Sequence, residues 1–132
     1  MNKTILIIED NAILANYLGC IVERYGNIDI ANNGMEALKK LSQNAYDAII
    51  FDVRKPAMNG IEFYQEASAM DLDIKKRVLF LISTVYKKHI KFMLDNHVHC
   101  LRKTLQSEDI RNALEKILFN SKSCLKSLDK SA

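Results

Sequence analysis

Acidic side chains follow two apolar segments of this sequence. Glu9 and Asp10 come directly after "ILII", and Asp52 comes directly after "AIIF". Carboxylates held close together repel one another unless a proton or a cation reduces their charge. Magnesium prefers oxygen ligands and commonly binds one or two carboxylates together with a phosphate oxygen. Because an Asp carboxylate can also attack phosphorus and form an acyl phosphate, these three acids are candidates for magnesium-assisted phosphoryl chemistry.

The hydroxyl and ammonium groups that such chemistry needs follow two later apolar segments. Ser83 and Thr84 end "VLFLIST", and Lys103 ends "CLRK". A lysine and a hydroxyl can neutralise phosphoryl oxygens during in-line transfer. Each of these residues alone is more typical of a turn, a helix cap or a solvated surface. Their occurrence in order, each at the end of an apolar segment, favours one shared site.

The apolar segments alternate with stretches of helical periodicity. Strands are predicted at residues 5–8, 28–31, 48–53, 78–83 and 98–102. Apolar residues recur at helical spacing in the intervals 13–25, 35–41, 61–67, 90–94 and 110–118. Five strand–helix units predict an α/β fold, a doubly wound five-stranded parallel sheet with helices on both faces.

The strand order decides whether the acids meet. If the strand order is 2-1-3-4-5, strands 1 and 3 are neighbours. Ligands of such sheets bind at the carboxyl ends of the strands, near the point where the strand order reverses. Glu9, Asp10 and Asp52 are therefore expected to converge at one edge of the sheet.

Composition narrows the class of protein. The 132 residues fit one domain, and a net charge of +3 without a basic block does not indicate nucleic-acid binding. No apolar run approaches the ~20 residues that span a bilayer, so we expect no membrane insertion. The three cysteines form no C-x-x-C pair, which favours reduced thiols and a cytoplasmic location.

Residues 1–120 are expected to form the domain, and residues 121–132 a tail or an extension of the last helix. The tail is rich in Ser and Lys, which suggests a frayed end. An extension is the alternative because apolar and small residues keep a 4-3-4-3 spacing there: Leu114, Leu118, Ser121, Leu125 and Leu128.

The stretches "ILIIEDN", "YDAIIFDVRKPAMNG", "VLFLIST" and "CLRK" resemble the receiver domain of two-component response regulators, over about residues 4–119. The pattern has an acid pair after strand 1, a phosphoacceptor Asp with Pro four and Gly eight positions later, a hydroxyl after strand 4 and a Lys after strand 5. The residues that match it are Glu9, Asp10, Asp52, Pro56, Gly60, Ser83 and Lys103. The chain is similar to the stand-alone regulators of chemotaxis and sporulation.

The resemblance implies a doubly wound (βα)5, flavodoxin-like sheet with strand order 2-1-3-4-5. It also implies that Asp52 accepts a phosphoryl group from a phosphohistidine. Mg²⁺ would be held by Asp10, Asp52 and the backbone carbonyl of Arg54, with Glu9 acting through water. Such a domain catalyses its own phosphorylation and dephosphorylation and is otherwise not an enzyme. A phosphatase with an aspartyl nucleophile generally needs a second acid two positions later, where this sequence has Arg54.

The implied partners are proteins. A sensor histidine kinase or a histidine phosphotransfer protein would supply the phosphoryl group. A downstream protein would bind the face formed by the fourth helix, the fifth strand and the fifth helix, and a second copy of the chain is a further candidate there. Direct contact with nucleic acid or membrane is not expected.

The sequence departs from the family at the residues of the switch. Cys100 stands where Tyr or Phe is usual, three positions before the Lys, and Thr104 replaces the Pro that normally follows it. The switch residues would be Ser83, with Thr84 as the alternative hydroxyl, and Cys100. An atypical receiver that works as a phosphorylation-independent interaction or dimerisation module is therefore the alternative function.

The stretch "HVHC" raises the question of a metal site of a different kind. His97 and His99 would share one face of an extended strand, with Cys100 beside them. Structural zinc needs four ligands, and the sequence offers no fourth one nearby. We therefore expect no zinc site.

Overall fold

The computed structural model describes residues 3–53, 60–82, 91–92, 94–102 and 106–119. Within these ranges, no helix combines the length and the apolar character needed to cross a bilayer. The elements in chain order are β1 (Lys3–Ile8), α1 (Ala12–Val22), β2 (Gly26–Ala31), α2 (Gly34–Gln43), β3 (Ala48–Val53), α3 (Gly60–Met70), β4 (Val78–Ile82), α4 (helical at residues 91–92 and 94–95), β5 (His99–Arg102) and α5 (Ser107–Phe119).

The five strands form one parallel sheet in the order β2-β1-β3-β4-β5, which confirms the predicted topology. Ile8 at the end of β1 pairs with Phe51 of β3, and Asp52 pairs with Leu81 of β4. The residue that follows Ile8 therefore lies beside Asp52. This register places the acid pair next to the predicted acceptor.

The two faces of the sheet bury different side chains. Residues that alternate along a strand point to opposite faces, so Ile5 and Ile7 pack against α1 and α5 in an aliphatic core. Leu6 and Ile8 belong to the opposite core, which contains residues of α2 and α3 and most of the buried aromatic rings. All five residues of β4 are buried, as expected for a strand covered on both faces.

Asparagine side chains begin the two helices that follow β1 and β2. The Asn11 Oδ1 atom accepts hydrogen bonds from the backbone N–H groups of Ile13 at 2.9 Å and Leu14 at 3.1 Å. Asn33 caps α2 in the same way through the N–H of Glu36 at 2.8 Å. Such caps satisfy backbone donors that have no partner inside the helix, and Asn11 thereby fixes the start of α1 directly after the acids.

The first helix ends earlier than predicted. The apolar spacing extended it to Tyr25, but α1 ends at Val22 and a 3-10 turn, Glu23–Tyr25, leads into β2. Gly26 causes this difference, because a Cβ atom at that position would lie 2.1 Å from the backbone oxygen of Lys3. The chain must tighten into a 3-10 turn to bring Gly26 against β1.

The expectation that His97 and His99 share a strand face is wrong. His97 lies in a turn after α4 with a backbone φ of 56°, and its N–H donates to the carbonyl of Leu94 at 3.2 Å. The strand β5 begins only at His99. The left-handed backbone of His97 therefore separates the two imidazoles.

Candidate functional site

Glu9 and Asp52 lie side by side at the carboxyl edge of the sheet. Glu9 is 5% exposed and Asp52 is 7% exposed, and their side chains are hydrogen-bonded to each other. β1 and β3 carry them as neighbouring strands at the point where the strand order reverses. The structure thus brings together two acids that are 43 positions apart in the sequence.

The environment of Glu9 favours its protonated form. Burial, the hydrogen bond to Asp52 and the negative charges nearby raise the pKa of Glu9 from 4.5 to about 8. The backbone N–H of Asn11, which donates to Oε2 at 2.9 Å, acts in the opposite direction. Glu9 therefore favours its protonated form near neutral pH, because a charged Glu9 would be repelled by the neighbouring acid.

Asp10 lies at the rim of the acid pair. Its side chain is exposed and hydrogen-bonds to Glu9, which contributes to the raised pKa of Glu9. The predicted trio is thus a buried pair with one exposed member. Solvent and a dissolved cation can reach Asp10 without entering the core.

The donor set fits a hard cation. Among the described residues, no group of three or more His, Cys, Asp or Glu side chains is arranged to hold a metal ion by itself. Magnesium does not need such a group, since it commonly uses one or two carboxylates and keeps several waters. The donors at this edge are carboxylate oxygens, and a cation there would replace the proton that Glu9 now holds.

Several predicted site residues lie outside the described residues. They are Arg54, Pro56, Ser83, Thr84, Lys103 and Thr104. β4 and β5 end at Ile82 and Arg102, which pair with each other, and Ile82 also pairs with Val53. The strands that lead to the predicted hydroxyl and lysine thus end at the edge that carries Asp52, and the roles of those residues stay predictions.

Cys100 lies in β5 beside Phe80 of β4, its register partner. Its side chain is partly buried and packs against the core that contains Tyr64 and Phe80. The role of Cys100 in a switch stays a prediction.

Asn11 contributes a contact that the sequence did not predict. Its side chain caps α1, and its backbone N–H also donates to Glu9. No signal in the sequence could identify this donor, because every residue except proline has a backbone N–H.

A cleft of about 590 Å³ lies at the opposite end of the sheet. It is lined by the ends of α2 and α3 and by the segment before β3, including Tyr46, Ile74 and Arg77. It is separate from the acid pair, and the described residues do not identify an occupant.

A family model for the response regulator receiver domain matches residues 5–115. The chain belongs to this family. A curated relative, protein-glutamate methylesterase/protein-glutamine glutaminase of Treponema denticola, is 35% identical over 94 residues, which are 69% of this chain and 24% of the relative. The chain therefore spans about a quarter of the length of that relative.

Solved structures show the same fold. A response regulator receiver domain protein from Clostridium thermocellum has a TM-score of 0.81 at 20% identity, covering 93% of this chain and 98% of the other. The receiver domain of the sensor histidine kinase PA1611 from Pseudomonas aeruginosa has a TM-score of 0.76 at 18% identity, covering 89% and 98%. That domain has a magnesium ion coordinated in its active-site cleft.

Membership of this family assigns the chain to two-component signalling, as a domain that accepts a phosphoryl group. Receiver domains bind Mg²⁺ in their active site and interact with histidine kinases and downstream targets.

Proposed function

We propose that Asp52 is the phosphoryl acceptor of this chain and that a phosphohistidine is the donor. The observation that carries this proposal is the buried, hydrogen-bonded pair of Glu9 and Asp52 at the carboxyl edge of β1 and β3. A protein that needed only stability would gain from replacing these acids, because burying two acids side by side is unfavourable.

The transfer forms one bond and breaks one. An oxygen of the Asp52 carboxylate attacks phosphorus in line, and the P–O bond forms as the P–N bond to the histidine breaks. The imidazole leaves with the electron pair of that bond and takes up a proton. Asp52 then carries an acyl phosphate, which water later hydrolyses. Burial at the end of β3 holds the attacking carboxylate in place, and such positioning is a large part of catalysis.

The other residues of the site have supporting roles in this proposal. Asp10, Asp52 and the carbonyl of Arg54 would hold Mg²⁺, with Glu9 in contact through water. The cation would supply charge neutralisation to the acids and the incoming phosphoryl oxygens. Lys103 and the Ser83 hydroxyl, or that of Thr84, would bind the phosphoryl oxygens once transfer is complete.

The phosphorylated domain would act on proteins. A sensor kinase or a histidine phosphotransfer protein is the proposed donor, and the face of α4, β5 and α5 is the proposed contact for a downstream protein or a second copy. The proposed receiver unit comprises residues 1–120, and residues 121–132 form a tail or continue α5. We further propose a cytoplasmic location. The proposed domain catalyses only its own phosphorylation and dephosphorylation. The acid pair argues against the phosphorylation-independent alternative, which would not need it.

The test is the intact mass of the chain after incubation with Mg²⁺ and acetyl phosphate. Wild type and Asp73→Asn, a control that changes an exposed acid far from the site, are expected to gain one phosphoryl group each. Asp52→Asn is expected to gain none while keeping the same circular dichroism spectrum. An adduct on Asp52→Asn would refute the acceptor, and no adduct on wild type would favour the interaction module.

A further inference from the structure

The last described helix ends at the amino end of the sheet. The ring of Phe119, the final residue of α5, lies 5.8 Å from the Nζ atom of Lys3 and 6.1 Å from the ring of Tyr25. Lys3 is the first residue of β1. Because parallel strands all begin at the same edge, the chain that follows Phe119 starts at the end of the sheet opposite the acid pair.

A short path leads from Phe119 across this end of the sheet to the cleft. The N–H of Thr4, next to Lys3, donates to Oδ2 of Asp47, and the N–H of Asp47 donates to the Thr4 carbonyl, each at 2.8 Å. Tyr46, the residue before Asp47, lines the cleft. Residues 120–132 follow Phe119, and thirteen residues of extended chain span up to roughly 40 Å. The segment after α5 is therefore long enough to reach the cleft.

The cleft offers apolar surface to an occupant. Ile49 of β3 and Ile74 line it, and Met70 at the end of α3 lines it with 45% of its surface exposed. Its volume of about 590 Å³ lies within the range of ligand sites, roughly 300–1,000 Å³. The cleft can therefore take two side chains of the size of leucine.

The charges around the cleft favour a cationic occupant. The helices α2 and α3 both end there, and the end of a helix carries a partial negative charge. The last turn of α3 has no basic residue, and Lys40 in the last turn of α2 pairs with a carboxylate of β2. Asp71 follows α3, and Arg77 approaches it only to 3.7 Å, which is longer than a hydrogen bond. Lys75 and Lys76 are exposed and do not line the cleft.

The segment after α5 combines apolar side chains with positive charge. It contains one acid, Asp129, and three lysines: Lys122, Lys126 and Lys130. Its leucines continue the spacing of Leu114 and Leu118, but those two residues pack in the aliphatic core of the domain. The spacing within α5 is thus explained by that core. Leu125 and Leu128 lie beyond it and need a separate apolar partner.

We propose that residues 120–132 cross the amino end of the sheet and bind in the cleft of the same chain. Leu125 and Leu128 pack against Met70 and Ile74, and the lysines face the ends of α2 and α3. Removal of this apolar surface from water favours the bound segment. The acid pair lies at the opposite end of the sheet, so binding of the segment leaves phosphoryl acceptance unchanged and does not depend on the proposed function.

The native Cys124, next to Leu125, provides the test. Gln43→Cys places a thiol at the exposed rim of the cleft, and Asp95→Cys places one at an exposed position of α4, on the same face and at the same end of the sheet. Each full-length variant is oxidised with diamide, and its disulfides are mapped by peptide mass. We expect the disulfide with Cys124 to form about tenfold faster at position 43 than at position 95, because binding raises the local concentration of the thiol.

A matched pair of substitutions tests whether the leucine holds the segment. Leu125→Asn removes the apolar side chain without adding charge, and Ser127→Asn makes a polar change two residues later. We expect Leu125→Asn to abolish the preference for position 43 and to raise amide hydrogen exchange at residues 41–46 of the otherwise native chain. Ser127→Asn should leave both as in wild type.

Three outcomes would overturn this proposal. They are equal disulfide rates at positions 43 and 95, the same exchange at residues 41–46 in Leu125→Asn as in wild type, and a disulfide at position 43 that joins two chains, since the occupant would then be a second copy. The intact mass after reaction with acetyl phosphate and Mg²⁺ should be the same for Leu125→Asn as for wild type. A wild-type chain that gains no phosphoryl group would refute the proposed function and leave the binding of the segment unaffected.

Discussion

The two ends of the sheet are built on opposite electrostatic principles. At the carboxyl end, Glu9 and Asp52 bring like charges together, and the pKa of Glu9 rises to about 8. Toward the amino end, Tyr46, which precedes β3, donates a hydrogen bond to Asp29 in the middle of β2, and the Lys40 Nζ atom lies 3.2 Å from Oδ1 of the same carboxylate. The first arrangement opposes folding and the second supports it.

The pKa of Asp29 reflects this difference. Burial alone would raise it, but the hydrogen bonds from Tyr46 and Lys40 and the charge of Lys40 outweigh burial, and the pKa is lowered. The contrast shows that the domain tolerates unfavourable charge where a ligand would bind, and that opposite charges support the fold elsewhere. Four substitutions test this difference between the ends, given from the largest expected effect to the smallest.

Gly26→Ala should be the most damaging change at the amino end. The added Cβ would lie 2.1 Å from the Lys3 oxygen and 2.6 Å from its carbonyl carbon. Because both atoms are backbone, β1 and β2 must separate locally. We expect a loss of about 3 kcal/mol or more in the free energy of unfolding, measured by urea denaturation.

Gly19→Ala is the control for that substitution. Its Cβ would meet only the Ile28 Cγ2 atom at 3.9 Å, which is ordinary contact. Alanine is favoured over glycine inside a helix by about 1 kcal/mol, so this variant should be more stable than wild type. Equal destabilisation by both substitutions would contradict the close-approach explanation.

Glu9→Gln should stabilise the metal-free protein at the carboxyl end. Between its ordinary pKa of 4.5 and about 8, folded Glu9 keeps a proton that the unfolded chain has lost. The stability of wild type therefore falls as pH rises through this window. The variant lacks that titration and should be more stable at pH 8 by on the order of 3 kcal/mol.

Urea denaturation from pH 4 to 9 without divalent cations measures this difference. Addition of Mg²⁺ should reduce the pH dependence of wild type, since a cation near Glu9 favours its charged form. If the free energy of unfolding depends on pH in the same way for wild type and Glu9→Gln, Glu9 and Asp52 do not repel each other.

Asp29→Ala should destabilise the amino end, because it leaves the buried Tyr46 hydroxyl without its acceptor. The expected loss is about 2 kcal/mol at pH 7. Since the folded pKa of Asp29 is lowered, its charged form contributes stability above the ordinary pKa of 3.8, and this contribution is lost as pH falls through the folded value. Thermal melts at pH 7 and pH 2 measure both effects, with the exposed Asp73→Ala as the control.

Tyr25→Phe should have the smallest effect. Its hydroxyl donates to Glu115 of α5 in an exposed position, and its ring contacts Phe119 at 6.1 Å. The variant keeps the ring and loses only the hydrogen bond, so we expect a loss of about 0.5 kcal/mol. A double-mutant cycle with Glu115→Gln isolates the contact. A coupling energy of zero would show that this surface bond does not support the amino end.

The sequence patterns indicated the elements and the parallel sheet, and the resemblance to receiver domains implied the strand order. Continuous apolar runs such as residues 78–82 indicated strands buried on both faces, and helical spacing between them indicated crossovers, which place strands in parallel. The order 2-1-3-4-5 then put Glu9 beside Asp52, as the structure confirms. This worked because local patterns of polarity set both the elements and the faces they bury.

The sequence was weaker where a contact between distant segments overrides a local pattern. Apolar spacing carried the first helix to Tyr25, but the approach of Gly26 to Lys3 ends it at Val22. The alternation in "HVHC" suggested a strand, but the turn after α4 gives His97 a positive φ. In both cases the deciding partner lies in another element.

The residue types and their spacing thus determined the elements, the parallel sheet and the edge at which the acids gather. Only the tertiary structure decided that Glu9 lies against Asp52 in a setting that raises its pKa, and that the buried Tyr46 hydroxyl donates to Asp29. The physical reason is that polarity patterns are local properties of the chain. Burial, pKa shifts and hydrogen-bond satisfaction depend on which distant groups arrive at the same place.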